Sequence, residues 1–150
     1  MAEAFLRAEV ANGVATLTFF HPASNSLPGA ILTQLAQTIM DTGAQADVRV
    51  IVLRSGGEKA FCAGASFDEL IAINDDISGK QFFSGFAKVI NAMRTCGKLV
   101  IARVQGKAVG GGVGIISAAD YAIGTKQSAV KLSELAVGIG PFVVGPAVER

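Results

Sequence analysis

Two segments rich in small residues are the features of this sequence most able to do chemistry. The first is Ala60-Phe61-Cys62-Ala63-Gly64-Ala65, and the second is Gly106-Lys107-Ala108-Val109-Gly110-Gly111-Gly112. Each follows an apolar β-like run and precedes a helix-like run, so main-chain N–H groups are left free at the positive end of a helix dipole. Two such ends facing one pocket would bind a carbonyl oxygen that gains negative charge during a reaction. The pattern therefore predicts an enzyme.

The second segment also approximates two nucleotide-binding patterns, and both signals are weak. Gly112-Val113-Gly114-Ile115-Ile116-Ser117 is close to a dinucleotide fingerprint. However, the strand before it is predicted to end at Val104, several residues too early, and Ser117 replaces the third glycine. Gly106-Lys107 lacks the Ser or Thr that a phosphate-binding loop requires.

Single reactive side chains have ordinary structural interpretations. Cys62 has no histidine near it in sequence, which favours a buried small residue over a nucleophile. His21, directly before a proline, is expected to be a structural turn residue, and Asp120 to anchor main chain after a helix. Glu134 lies on a semi-apolar stretch, where either a surface glutamate or a proton-transferring carboxylate is possible.

Composition limits the class of protein. The chain has 150 residues, of which 51% are hydrophobic, and a net charge of +1. No apolar run approaches the ~20 residues that a membrane helix needs. The apolar excess instead predicts burial against a partner subunit or a further part of the chain. The basic residues are scattered, which argues against nucleic-acid binding.

The termini and cysteines bear on the cellular compartment. Met1 to Phe5 include an early acid and no long apolar stretch, so no signal peptide is predicted. Cys62 and Cys96 form no CxxC motif, which suits a reducing cytoplasm. With one histidine in the whole chain, no metal site is expected.

Apolar periodicity predicts alternating strands and helices, and therefore an α/β fold with parallel pairing. Asn12-Gly13 predicts a hairpin, Gly43 can cap the first helix, and Ser66-Phe67-Asp68-Glu69 has the form of a capping box. Asn74 to Gly79 is expected to be a loop, and Ser128 to Gly140 is ambiguous. The predicted strands are 5–10, 14–20, 48–53, 99–104 and 121–124, and the predicted helices are 28–42, one from about 66, 82–93 and 113–119.

In this order, the motifs resemble those of the crotonase superfamily, the enoyl-CoA hydratase/isomerase family. Lys59 to Ala65 resembles the family's first oxyanion segment, and Leu99 to Gly106 with the triple glycine resembles the second. Asn25-Ser26-Leu27 resembles its N-terminal "NAL" element. Lys131 to Pro141 resembles the segment that supplies a catalytic glutamate. The resemblance covers essentially the whole chain.

The resemblance implies a spiral of ββα units and one domain, 1–150, that forms an acyl-CoA-binding catalytic core without the family's C-terminal helical region. It implies that the N–H groups of Ala65 and Gly111 form an oxyanion hole for the thioester oxygen, and that Glu134 is catalytic. Further expectations are a cytoplasmic homo-oligomer, trimeric or hexameric as in the family, that acts in fatty acid metabolism and needs no cofactor beyond the coenzyme A of its substrate. The residues implied to contact the CoA thioester are Ala63, Gly64, Ala65, Ser66, Phe67, Asp68 and Gly111.

Two departures from the family pattern bear on the reaction. Hydratases hold water between two glutamates, and the position of one of them is Gly114 here, so Glu134 is the single carboxylate retained. One carboxylate can move a proton between carbons, which favours isomerase chemistry over hydration. Ser66 stands where many members have Asp. A decarboxylase or thioester hydrolase of the same fold, or a non-catalytic acyl-CoA-binding module, are the alternatives.

Overall fold

Strands along the chain enter two different sheets. The computed structural model describes residues 2–150. Met1, the first residue of the stretch in which no signal peptide is predicted, lies outside this range. The strands are β1 (Phe5–Ala11), β2 (Val14–Phe20), β3 (Val50–Ser55), β4 (Ala60–Cys62), β5 (Leu99–Val104), β6 (Lys107–Val109), β7 (Tyr121–Gly124) and β8 (Ala129–Lys131). The helices are α1 (Gly29–Gly43), α2 (Phe67–Ile71), α3 (Asp76–Thr95), α4 (Gly111–Ala118) and α5 (Gly145–Val148), with a 3-10 helix at Glu134–Val137.

The larger sheet has the strand order β1-β2-β3-β5-β7 and is parallel from β2 onward. The hairpin of β1 and β2 is antiparallel, and its turn residues Asn12 and Gly13 have φ of 54° and 79°, as a tight type I′ turn requires. Alternate residues of β2 are fully buried, among them Leu17 and Phe19. That buried face packs against helix α1, and buried residues of α3 belong to the same core.

The smaller sheet has the strand order β4-β6-β8. It exists because, in each pair of consecutive strands from β3 onward, the second strand joins a different sheet from the first. β3 joins the larger sheet and β4 the smaller one before α2 and α3; β5 and β6 do the same before α4, and β7 and β8 before the 3-10 helix. This is the predicted spiral of ββα units, with the predicted parallel pairing. Each of the two small-residue segments contains one short strand of the smaller sheet, which the periodicity did not show.

Two predictions of local structure are wrong. Asn74 to Gly79 is not a loop, because Asp75 caps α3, which begins at Asp76. The Asp75 side chain accepts from the Ser78 amide at 2.7 Å, and this hydrogen bonding with Ser78 lowers the pKa of Asp75. Gly43 is not a cap but the last residue of α1, and it packs against the carbonyl oxygen of Cys96, where a side chain would not fit.

Large apolar side chains stay exposed along β7 and β8, at the outer edges of the two sheets. Tyr121 is 65% exposed and Val130 is 63% exposed. This surface is what the apolar excess of the composition predicts, since it suits burial against further protein. Within residues 2–150, no helix has both the length and the apolar character needed to cross a membrane.

Candidate functional site

A cavity of about 520 Å³ lies where both small-residue segments meet the 3-10 helix. Its wall includes Ala65 from the first segment, Gly111 from the second and Glu134 from the 3-10 helix. The three residues that the resemblance assigns to catalysis are therefore brought together, although up to 69 positions of sequence separate them. All six residues expected to contact the thioester in the first segment, 63–68, also line this cavity.

The main chain around Ala65 is held from one side by the segment before α1. The Leu27 amide donates to the Gly64 carbonyl at 2.8 Å, and the Ser26 hydroxyl donates to the Ala65 carbonyl at 2.8 Å. The Ala63 amide donates to the Asn25 carbonyl at 3.3 Å. These bonds fix the carbonyl groups of the segment and leave the Ala65 amide available to a ligand.

The Gly111 amide is the first of helix α4, where an N–H group has no partner within the helix. Across residues 2–150, neither this amide nor that of Ala65 donates to a loop, turn or side-chain acceptor. The two segments touch: a Cβ on Gly64 would lie 3.9 Å from the Gly111 nitrogen and 3.2 Å from the Val109 carbonyl oxygen. Both free donors thus belong to one wall of the cavity.

Glycine is required at several points of this wall. Gly64 and Gly110 have φ of 90° and 53°, in the region that disfavours other residues. A Cβ on Gly111 would lie 2.5 Å from ring atoms of Phe86, and one on Gly112 would lie 2.7 Å from the Cys62 carbonyl oxygen. The small residues therefore let α4 approach α3 and β4 closely enough to present its first amide to the cavity.

Glu134 is the first residue of the 3-10 helix, and its side chain turns inward. Its Oε2 atom is buried and has no hydrogen-bond partner within residues 2–150. Its Oε1 atom lies 3.5 Å from the point that a Cβ on Gly110 would occupy, and the Gly110 amide donates to the Lys131 carbonyl at 2.9 Å. A carboxylate oxygen without a partner is costly to bury, which is typical of a site built for a ligand.

The space beside Gly114, where the second carboxylate is missing, is filled by Val144, the residue directly before α5. A Cβ on Gly114 would lie 2.6 Å from Cγ1 of Val144 and 3.1 Å from Cδ1 of Ile90. Val144 is 2% exposed and lines the cavity. A glutamate at residue 114 would therefore need Val144 to move, and glycine at this position allows the close packing that is observed.

Ser66 acts as the predicted N-cap of α2, because its hydroxyl accepts from the Glu69 amide at 3.4 Å. The reciprocal half of the capping box does not form. Instead, the Glu69 carboxylate accepts from the Gly29 amide at 2.9 and 3.2 Å, at the start of α1. The Glu69 carboxylate thereby ties the first segment's helix to the N-terminal end of α1, where the helix dipole favours a negative charge.

The remaining reactive side chains behave mostly as expected. Burial raises the pKa of Cys62 to about 12, an effect partly offset by a main-chain hydrogen bond at Gly64, so the thiol stays protonated at neutral pH. Asp120 accepts from the Val100 amide at 2.8 Å, as the anchoring interpretation predicts. His21 does occupy a turn, with Nδ1 accepting from the Ala23 amide at 3.3 Å, but it also borders the cavity. Within residues 2–150, no cluster of three or more His, Cys, Asp or Glu side chains could hold a metal ion.

Sequence reasoning missed two parts of the cavity wall. Phe82, Phe83 and Phe86 of α3 line the cavity, and the sequence predicts only that they belong to a helix. Ser133, next to Glu134, was not singled out and also lines it. The signal for these residues is tertiary, because helical spacing shows which face is apolar but not that a ligand cavity lies beside it.

The sequence profile of the enoyl-CoA hydratase/isomerase family matches residues 9–150. The chain therefore belongs to this family, as the motifs and the spiral fold indicate. It is similar to the short-chain-enoyl-CoA hydratase of Clostridium acetobutylicum, with 33% identity over 129 residues, covering 85% of this chain and 49% of the relative. It is also similar to the (7aS)-7a-methyl-1,5-dioxo-2,3,5,6,7,7a-hexahydro-1H-indene-carboxyl-CoA hydrolase of Rhodococcus jostii, with 29% identity, covering 83% of this chain and 48% of the relative.

The fold is shared with solved structures of the family. The structure of an enoyl-CoA hydratase of Mycobacterium smegmatis has a TM-score of 0.89 and 29% identity, and the match covers 100% of this chain and 58% of that one. The chain spans about half the length of the curated relatives it matches.

Proposed function

We propose that the protein acts on an acyl-CoA thioester and stabilises an enolate, with the Ala65 and Gly111 amides as the oxyanion hole and Glu134 as the proton carrier. The observation that carries the proposal is the meeting, in one cavity, of two free main-chain donors and a carboxylate with a buried, unpartnered oxygen. The family to which the chain belongs supports the acyl-CoA class of substrate.

The proposed chemistry follows from where charge develops. Two N–H donors polarise the thioester carbonyl, which acidifies the α-carbon and stabilises the negative oxygen of the enolate. Glu134 accepts the proton from one carbon and returns it to another. Removing one oxyanion donor typically costs about 10²–10³-fold in kcat. A side chain at Gly111 would collide with the Phe86 ring and displace the second proposed donor.

Isomerisation is proposed over hydration because Glu134 is the only one of the family's two catalytic glutamates that has a counterpart in residues 2–150. Hydration needs a second group, besides Glu134, that orients or deprotonates the attacking water. The space beside Gly114 is packed by Val144 and Ile90, both apolar. Proton transfer between two carbons needs no such second group.

The decisive test is exchange of the α-proton in deuterated water. The protein is incubated with an enoyl-CoA, and deuterium at the α-carbon is followed by NMR or mass spectrometry. Exchange is expected, and it is expected to fall by about 10²-fold or more in Glu134→Gln, which keeps the side-chain shape but cannot carry the proton. Tight CoA binding without exchange in the wild type would contradict the proposal and favour the non-catalytic acyl-CoA-binding module.

A thioester hydrolase or decarboxylase is the second candidate, because relatives of 29% and 24% identity are named 3-hydroxyisobutyryl-CoA hydrolase and ethylmalonyl-CoA decarboxylase. Release of free CoA, followed with a thiol reagent during the same incubation, separates hydrolysis from isomerisation. Loss of carbon dioxide from a malonyl-type thioester would identify decarboxylation.

The remaining properties of the whole protein are proposed on the same basis. The exposed apolar edge of β7 and β8 is consistent with assembly into a homo-oligomer, trimeric or hexameric. Two unpaired cysteines suit a cytoplasmic location. The proposed reaction needs no cofactor, since coenzyme A is part of the substrate.

A further inference from the structure

Three serines of residues 2–150 line the cavity, and within this range only two of their hydroxyl groups form hydrogen bonds. The Ser26 hydroxyl donates to the Ala65 carbonyl at 2.8 Å. The Ser66 hydroxyl accepts from the Glu69 amide at 3.4 Å. The Ser133 hydroxyl makes no hydrogen bond to any of the residues 2–150, although Ser133 is partly buried.

Ser133 stands beside the proposed proton carrier. Its Oγ and the Oε1 atom of Glu134 each lie 3.5 Å from the single point that a Cβ on Gly110 would occupy. Both atoms are therefore on the same side of Gly110. If Glu134 removes a proton from a carbon close to the thioester, the hydroxyl of Ser133 faces the same part of the acyl chain and not its distant end.

The charged side chains around the cavity limit which substituents of an acyl chain can hydrogen-bond to the Ser133 hydroxyl. The titratable side chains in the lining are His21, Asp68 and Glu134, and among residues 2–150 no lysine or arginine lines the cavity. A carboxylate substituent would lie close to Glu134 without a cation to balance it. A neutral hydroxyl or keto oxygen meets no such repulsion and can exchange a hydrogen bond with a serine.

We infer that Ser133 is a specificity-determining residue that hydrogen-bonds a neutral oxygen substituent, hydroxyl or keto, on the acyl chain near the thioester. The inference rests on the proposed function, since it takes the cavity to be the acyl-CoA site. The apolar rings of α3 line the part of the cavity left for the hydrocarbon chain, so preference among neutral acyl groups of equal length depends on Ser133.

The test compares three four-carbon thioesters, butyryl-CoA, 3-hydroxybutyryl-CoA and succinyl-CoA, by calorimetric binding to the 150-residue chain. The wild type is expected to bind 3-hydroxybutyryl-CoA about 3- to 10-fold more tightly than butyryl-CoA, the range of one neutral hydrogen bond. Succinyl-CoA is expected to bind most weakly. In Ser133→Ala the preference for the hydroxylated thioester disappears while butyryl-CoA affinity is unchanged, and Ser133→Thr, which keeps the hydroxyl, retains most of it.

Ser84→Ala is the matched control, since the Ser84 hydroxyl is already bonded to the Lys80 carbonyl on α3 and lies outside the cavity lining. Equal binding of butyryl- and 3-hydroxybutyryl-CoA, or a preference that survives in Ser133→Ala, would overturn the inference and leave the proposed function standing. Failure of the wild type to bind any of the three thioesters would overturn both. Circular dichroism of each variant shows that the fold is intact before affinities are compared.

Discussion

Replacing Gly114 by alanine tests how closely Val144 packs against this position of α4. The new methyl group would lie 2.6 Å from Cγ1 and 3.0 Å from Cβ of Val144. Overpacking of this kind costs about 1–3 kcal/mol. Alanine in a helix interior gains about 1 kcal/mol over glycine. The expected net change is therefore a loss of about 0–2 kcal/mol in the free energy of unfolding.

A second substitution isolates the contact from the helix propensity. Val144→Ala alone removes two buried methyl groups and should cost about 2 kcal/mol. In the double variant the alanine at residue 114 has room and partly fills the space. The two changes should then cost less together than the sum of their separate effects, by about 1 kcal/mol or more.

Urea unfolding followed by far-UV circular dichroism is the suitable assay, because the chain has no Trp and one Tyr for fluorescence. Gly145→Ala is the control, since a Cβ there would meet nothing within 4 Å. If Gly114→Ala were more stable than this control, or if its effect and that of Val144→Ala were additive, Val144 would not press on Gly114. The reason given for a missing second carboxylate would then be refuted.

Three further outcomes are expected. Gly110→Ala should lower the free energy of unfolding by about 1–3 kcal/mol and slow α-proton exchange, because Gly110 has φ of +53° and lies beside Glu134. Wild-type values for both quantities would show that alanine is not strained at this position. Glu69→Ala should lose about 0.3–1 kcal/mol through the Gly29 amide, and 1 M salt should shrink the loss. Cys62 should resist iodoacetamide at pH 8 until urea unfolds the chain. The pKa of Cys62 is about 12 in the folded protein and 9.0 ordinarily, so the contribution of the protonated thiol to stability is complete below pH 9 and is lost as the pH rises toward 12. A urea midpoint that does not fall between pH 8 and pH 11 would contradict this.

Local sequence signals predicted the elements that depend on near neighbours. β2, β5 and β7 were expected at the residues where they occur, because their apolar runs end at polar or glycine residues within the window that a strand occupies. Asn12-Gly13 predicted the first turn for the same reason, since the pair itself adopts the positive φ values. Asp75 was missed as a cap because its partner, Ser78, is not the glutamate of a capping box.

The ordered set of motifs in the sequence determined the family and the α/β class, because these depend on residue types and their order. Only the tertiary structure decided what faces the cavity. Val144 fills the space beside Gly114, and the Ser133 hydroxyl has no hydrogen bond to the described residues, 2–150. The Glu69 carboxylate binds the first amide of α1 instead of completing the capping box of α2. Each of these depends on a contact between residues 30 or 40 positions apart, or on a contact not made. Such contacts are set by packing and by the competition for hydrogen-bond partners, and the local periodicity of a sequence carries no information about either.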